Sequence, residues 1–428
     1  MTSYPSHDCD VLIIGAGPAG TTAATLLTEE QGRKVIVLEK EHFPRYHVGE
    51  SLIPHCWDTL DRLGMTDRLD EKGFQVKQSV QFVSPDGELS APFYFSQHTD
   101  HPRGKTWQVD RETFDTMMME RAREAGAEVR EGIKVLDFLE EDGVVTGVVA
   151  EDEEGRRFEL RARMTMDASG RDALFQRKKK WRKRDPKLNK VAIWTLYKGA
   201  KRDPGIDEGA TTVAYIPQKG WFWNIPLKDD IVSSGVVAER DYLYREGRDP
   251  KEIFEREIKE NKWVEEHLSE GEQFGEYWVT GEYSYRAENC ATDGCLLVGD
   301  AFAFLDPVFS SGVYLALTTG ALGADAVGRA LDAGDTSAGQ FRDYGERVCQ
   351  AIEWMRKLVY AFYDEDFSFK DVVMKYADVR RDLTECLIGN LVDQDYTELF
   401  ERVSEFAALP EELPHGKTVQ ASRVAASI

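Results

Sequence analysis

A chain of 428 residues with 42% hydrophobic and 11% aromatic content can bury a large core, and its length suits two or three domains. A formal charge of -23 excludes general nucleic-acid binding, which needs a basic surface to displace counterions from phosphates. The start lacks the basic region and apolar run of a signal peptide, and the uncharged runs at 11–28 and 307–324 are interrupted by glycine and hydroxyl residues, so the expectation is a cytoplasmic protein with no transmembrane segment.

In chain order, a strand over 11–14, a helix running to Glu30 and a strand over 34–38 make a βαβ opening. Between the first strand and the helix stands Gly15-x-Gly17-x-x-Gly20, whose glycines permit a tight turn and let backbone N–H groups approach a pyrophosphate. Glu39 ends the second strand, where a carboxylate receives ribose hydroxyls, and Ala19 and Lys40 join it in the candidate cofactor set. The motif alone does not choose between NAD and FAD.

Residues 51–64 read as a helix stopped by Gly64, 80–95 as a hairpin around Pro85-Asp86-Gly87, and 111–125 as a helix stopped by Gly126. A meander of strands is predicted over 128–167, with breaks at Glu141-Asp142-Gly143 and at 151–155. Residues 189–238 are strand-rich again. After a loop at 299–312, Phe341, Tyr344, Val348, Ala351, Met355, Leu358 and Phe362 recur at helical spacing and mark the buried face of a long helix. The small, polar stretch 416–428 reads as a loose tail. The six cysteines, at 9, 56, 290, 295, 349 and 386, form no CxxC pair and no zinc spacing with histidine, which predicts reduced thiols and no metal site.

Further segments favour FAD. Trp107-Gln108-Val109-Asp110-Arg111, Asp167-Ala168-Ser169-Gly170 and Gly299-Asp300-Ala301 resemble, in the same order, the cofactor segments of FAD monooxygenases and related reductases. Trp221-Phe222-Trp223-Asn224-Ile225-Pro226 fits the W-x-W-x-I-P pattern, and Phe304 to Gly312 the F-x-x-P-x-x-S-x-G pattern, of the flavin-dependent halogenases. The loop Phe43-Pro44-Arg45-Tyr46-His47-Val48-Gly49-Glu50-Ser51 and the downstream Gly73-Phe74-Gln75-Val76-Lys77 also resemble that family.

The resemblance implies an α/β, FAD-dependent monooxygenase-like fold. Its expected parts are a discontinuous Rossmann-type FAD domain (1–78, 105–170 and 285–345), a β-rich substrate domain (79–104 and 171–284) and a helical C-terminal region (346–428). Arg45, Ser51, Arg111, Asp167, Gly299, Asp300 and Pro307 join the cofactor set. A separate flavin reductase supplies reduced FAD, and oxygen then supplies the oxidant for chloride or bromide. Ser310, Ser311 and Gly312 can end a loop and open a helix with free N–H groups that favour an anion, and are the expected halide site. Trp221 and Trp223 are expected to wall off the flavin and Glu50 to shape its site. Lys77 is expected to deliver the electrophilic halogen, as a hydrogen-bond donor to hypohalous acid or as a chloramine; Lys72 is its neighbour and decoy.

Tryptophan-acting members carry a glutamate within the P-x-x-S stretch. Phe309 stands in the matching stretch here, which resembles the subgroup acting on phenols and pyrroles, often tethered to an acyl or peptidyl carrier protein. Two readings share the fold: an FAD-dependent aromatic monooxygenase and a reductase of isoprenoid double bonds. The basic run Arg177 to Arg184 reads as a solvated loop, with a docking patch for an acidic carrier protein or a membrane surface as the sharper alternative.

Overall fold

Val11 to Ile14 and Val35 to Leu38 are continuously buried, the pattern of parallel strands covered on both faces. The computed structural model describes residues 7–281, 284–364 and 367–420. Cys9–Ile14 lies between Val35–Leu38 and Arg157–Asp167, parallel to both. Cys295–Leu297 extends the sheet in parallel beyond Arg157–Asp167, and Glu128–Arg130 closes the other side. Helix Pro18–Glu29 crosses Ser311–Asp332 so closely that a Cβ on Gly320 would meet the Ala19 carbonyl oxygen at 2.5 Å.

The second sheet runs Glu272–Gly281, Lys190–Lys198, Ile231–Glu239, Gly220–Pro226, Thr211–Ile216, Ser79–Val83, Phe93–Tyr94. Its pairings are antiparallel except for Thr211–Ile216 with Ser79–Val83. The two-residue period of a strand divides Gly220–Pro226. Trp221, Trp223 and Ile225 pack into the main core beneath the first sheet, whereas Phe222 packs against Phe254 in a smaller core on the opposite face. Gly235 sits opposite Trp223, where a Cβ would lie 2.2 Å from the indole and 2.6 Å from the Trp194 Cβ. Only glycine there leaves room for both rings.

The expected meander and C-terminal helix are present as Lys134–Glu141, Val144–Glu151, Arg157–Asp167 and Arg342–Tyr363. Two expectations need correction. The helix read over 51–64 begins only at Cys56 and ends at Arg62: Ser51 bridges to Gln108 as extended chain, and Pro54 disfavours helical geometry at Ile53. The tail read as loose is, over Gly416–Gln420, a strand parallel to Asn289–Thr292 at the edge of the first sheet. Its approach is fixed by buried charges: Arg286 donates to the Leu413 carbonyl and Arg356 to that of Glu411, while Glu353 accepts from Leu413 N–H. Backbone pairing of this kind leaves no apolar period to read. Residues 421–428 lie outside the described set.

Candidate functional site

A cavity of about 590 Å³ lies between the two sheets. Gly15, Gly17, Ala19, Glu39, Lys40, Arg45, Glu50, Ser51, Arg111, Gly299, Asp300 and Pro307 all line it. Gly15 has φ of +100°, and its Cβ would meet the Ala168 carbonyl oxygen at 2.5 Å; a Cβ on Gly20 would meet the Gly15 carbonyl oxygen at 2.0 Å. Side chains are thereby excluded from the turn. Glu39 accepts from Ala16 N–H at 2.8 Å, which joins the second strand to the glycine turn.

The cavity's charges suit a dinucleotide. Arg45 Nη2 stands 3.8 Å from the Cβ position of Gly17, and its buried Nη1 makes no hydrogen bond among the described residues, though Asp115 lies 3.4 Å away. That cation facing the glycine turn fits a pyrophosphate. Arg111 is held in a fork by Asp115 at 2.7 and 2.9 Å and donates to the Val48 carbonyl at 3.0 Å. Burial pushes the Asp300 carboxyl up to about 6, against the pull of Arg171 and Arg111.

An aromatic wall closes one side. Tyr46 stacks on Trp278 at 4.2 Å between centroids, Trp278 lies 6.0 Å from Trp194, Trp194 6.2 Å from Trp223, and Trp223 6.1 Å from Trp221. Each buried indole N–H of the signature pair has a partner: Trp221 donates to Tyr363 Oη at 2.8 Å and Trp223 to Ser233 Oγ at 3.2 Å. Ser233 in turn bonds to Glu50, whose carboxyl burial raises, although Gly49 N–H, Ser233 and Arg111 oppose the shift.

The 299–312 segment binds to the same wall. Tyr363 donates its hydroxyl to Asp306 Oδ2 at 2.9 Å, and Asp306 Oδ1 accepts from Val308 N–H at 3.2 Å. Burial raises Asp306 to about 6; the Tyr363 bond opposes the rise. Ser310 is left-handed at φ +55°, and helix Ser311–Asp332 opens behind it with no side-chain cap. Ser310 and Gly312 line the cavity. Ser311 does not, and its buried Oγ has no partner among the described residues.

Lys77 stands behind the cavity rather than in its lining. It is fully buried on strand Gln75–Lys77, and its Nζ donates to Ser51 Oγ at 2.8 Å and to the Leu52 carbonyl at 3.1 Å. The Phe95 ring covers it, with its centroid 5.7 Å from Nζ. Burial lowers the ammonium to about 7, so near neutral pH much of it is free amine. Lys72, by contrast, is exposed at a helix end.

Two more expected residues stand off the cavity. Gly20 is a packing residue, and Asp167 braces the turn beneath it by accepting from Ser169 N–H at 3.0 Å and Phe175 N–H at 2.8 Å. The basic run is largely paired: Lys178 meets Asp137 at 2.5 Å, Lys179 meets Glu140 at 2.5 Å, and Lys183 meets Glu288 at 3.1 Å. Sequence reasoning did not single out Tyr46, Trp194, Trp278, Thr211, Asp306 or Tyr363 for the site. Only Tyr46 and Asp306 lay inside a motif, and the rest arrive through sheet pairing or the end of a distant helix. No group of His, Cys, Asp and Glu among the described residues is arranged for a metal ion, and all six cysteines are buried free thiols. No described helix is long and apolar enough to cross a membrane.

The sequence profile of the family described as Tryptophan halogenase matches residues 10–102 and 95–371. A 1H-pyrrole-2-carbonyl peptidyl-carrier-protein brominase of Pseudoalteromonas luteoviolacea is 32% identical over 388 residues, 88% of this chain and 92% of that one. The corresponding chlorinase of Pseudomonas fluorescens is 29% identical over 434 residues, 95% of each chain. The solved flavin-dependent brominase Bmp2 superposes with a TM-score of 0.85 at 28% identity, covering 94% of this chain and 98% of that one. The myxobacterial chondrochloren halogenase CndH gives 0.79 at 28% identity over 97% and 100%.

Proposed function

The chain belongs to the flavin-dependent halogenases, and on that premise we propose that it halogenates a pyrrole-type or phenolic ring carried on an acyl or peptidyl carrier protein, using reduced FAD delivered by a separate flavin reductase. Bound reduced FAD, with oxygen, supplies the two-electron oxidation that turns chloride or bromide into hypohalous acid. Arg45 and the N–H groups of the glycine turn hold the pyrophosphate, Glu39 the ribose, and Arg111 and Asp300 the remainder of the cofactor. The opening of a 22-residue helix offers the Gly312 backbone N–H to halide, whereas the Ser310 N–H is engaged by the Pro307 carbonyl at 2.8 Å.

The tryptophan wall keeps an aromatic ring out of the cavity, so the oxidant crosses to the ring and not the reverse. Lys77 receives the halogen behind Ser51, the cavity-lining residue to which its amine is bonded. Its amine is nucleophilic because burial disfavours its protonated form, and an ordinary surface lysine would be almost wholly ammonium at the same pH. A carrier-bound pyrrole or a phenol is electron-rich and needs little help in losing its ring proton.

The observation that carries the substrate class is Phe309. It is buried against Phe362 and Phe369, with centroids at 5.8 and 6.1 Å, in the stretch where tryptophan-acting enzymes place a glutamate. Two relatives matched along nearly their whole length are named for pyrrole-2-carbonyl groups on a carrier, which supports the same class. The test is product mass spectrometry with phenols and pyrroles, free and carrier-bound, beside free tryptophan. Halogenated carrier-bound ring with unreacted tryptophan is expected; the opposite preference refutes the substrate assignment.

A further inference from the structure

We propose that the Ser51 and Thr211 hydroxyls form a catalytic relay between the cavity and Lys77, an inference that rests on the halogen-delivery reading of Lys77. The Lys77 side chain is fully buried and absent from the lining, and it meets the cavity wall through Ser51, whose Oγ lies 2.8 Å from Nζ. Ser51 and Thr211 do line the cavity. Their hydroxyl oxygens are 2.8 Å apart, Lys77 Nζ donates to the first, and Gln108 Nε2 donates to the second at 2.9 Å.

The donor count sets what this pair presents. Two hydroxyls own two hydrogens, and their mutual bond uses one of them. In the arrangement in which Lys77 donates to Ser51 and the Leu52 carbonyl and Gln108 donates to Thr211, each of the two occupies a hydroxyl lone pair and takes no hydrogen. Gln108 is fixed in that role because the same Nε2 also donates to the Gly209 carbonyl at 3.0 Å. Whichever way the mutual bond runs, one hydroxyl hydrogen is left over, on a residue of the cavity wall. It suits the oxygen of hypohalous acid.

The other end of the chain is matched to it. A neutral Lys77 amine donating to Ser51 and to the Leu52 carbonyl retains its lone pair. When that pair attacks the halogen, the N–halogen bond forms as the halogen–oxygen bond breaks, and the oxygen leaves with the electron pair. Thr211 gives its hydrogen to the departing oxygen, Ser51 gives its own to Thr211, and Nζ gives one to Ser51. Amine and hypohalous acid become haloamine and water, with no further oxidant and no charge left in the core.

Thr211→Val keeps the β-branched shape on its strand and removes only the hydroxyl; Thr211→Ser restores it. The readouts are halogenated product per reduced FAD consumed, hypohalous acid captured by a soluble thioether, and FAD affinity. Thr211→Val should lose product per flavin by roughly a hundredfold, the scale of a lost proton-transfer group, with FAD affinity unchanged and trapped oxidant raised. Thr211→Ser should recover it. Wild-type yield in Thr211→Val overturns the relay alone, as does loss of yield that merely follows loss of FAD. Halogenation surviving in Lys77→Ala overturns the reading beneath it as well.

Discussion

In the proposed mechanism the chemistry turns on a buried amine, and its burial has two measurable consequences. Lys77 titrates near 7, so halogen transfer should rise with pH across that value as free amine replaces ammonium, while oxidation of reduced FAD need not follow. A pH profile of product per flavin checks this; a flat profile from pH 6 to 8.5 contradicts it. The second consequence is for stability. An unfolded lysine titrates near ~10.4, so between about 7 and that value the unfolded chain binds more protons and native stability gains from rising pH. Below about 7 the full cost of the buried amine remains. Lys77→Met should therefore melt at a higher temperature than wild type at pH 6.5, with a gap that narrows toward pH 9. Asp300 and Asp306, both raised to about 6, have the opposite sign: their contribution is fully present below ~3.9 and is lost as pH rises through about 6.

At the same scale, the spacing after Gly73-Phe74 singled out Lys77 as a candidate and a broken motif singled out Phe309, but the burial of Lys77 behind the cavity was not legible. Thr211 was not legible, because it joins Ser51 only through a side-chain hydrogen bond between residues 160 apart in sequence.

The strand Gly220–Pro226 shows what an element adds to its residues. Period-two alternation places both tryptophans on one face, but the wall they enter is completed by Trp194, Trp278 and Tyr46 from other segments, and its closeness depends on Gly235. A side chain at Gly235 would overlap the Trp223 indole and the Trp194 Cβ, so Gly235→Val should cost about 1–3 kcal/mol by overpacking and lower product per flavin; denaturant melts and the coupling ratio measure the two effects. The end of helix Arg342–Tyr363 fastens the same wall to the 299–312 turn through Trp221, Tyr363 and Asp306. Tyr363→Phe leaves an indole N–H and a carboxylate short of a partner, which should cost about 1–3 kcal/mol and raise the halide KM more than it lowers flavin oxidation. An unchanged halide KM would reduce that contact to packing. The basic run, in contrast, spends its lysines on Asp137, Glu140 and Glu288. Replacing Lys178, Lys179 and Lys180 with Gln should leave turnover of carrier-bound substrate within about twofold at low salt, as exposed ion pairs are weak.

Across the whole molecule, the glycine turn, the flanking strands and the order of motifs made the FAD architecture legible in the sequence, since each rests on local spacing. The closing strand was silent because it is held by backbone pairing and by Arg286, Arg356 and Glu353, none of which leaves a period in the sequence. Deleting residues from Gly416 onward should expose the edge at Asn289–Thr292 and lower stability by about 2–4 kcal/mol for the lost hydrogen bonds. An unaltered urea midpoint would contradict that role.

Bromine incorporated per reduced FAD consumed, measured by mass spectrometry for wild type and Lys77→Ala side by side, tests the central claim most directly. With reduced FAD regenerated by an added flavin reductase, oxygen, bromide and a panel of free and carrier-bound pyrroles and phenols, the wild type should place bromine on a ring. Lys77→Ala should consume reduced FAD at the same rate and place none. Equal ring bromination by the folded variant, or a hydroxylated ring from the wild type, would contradict the account.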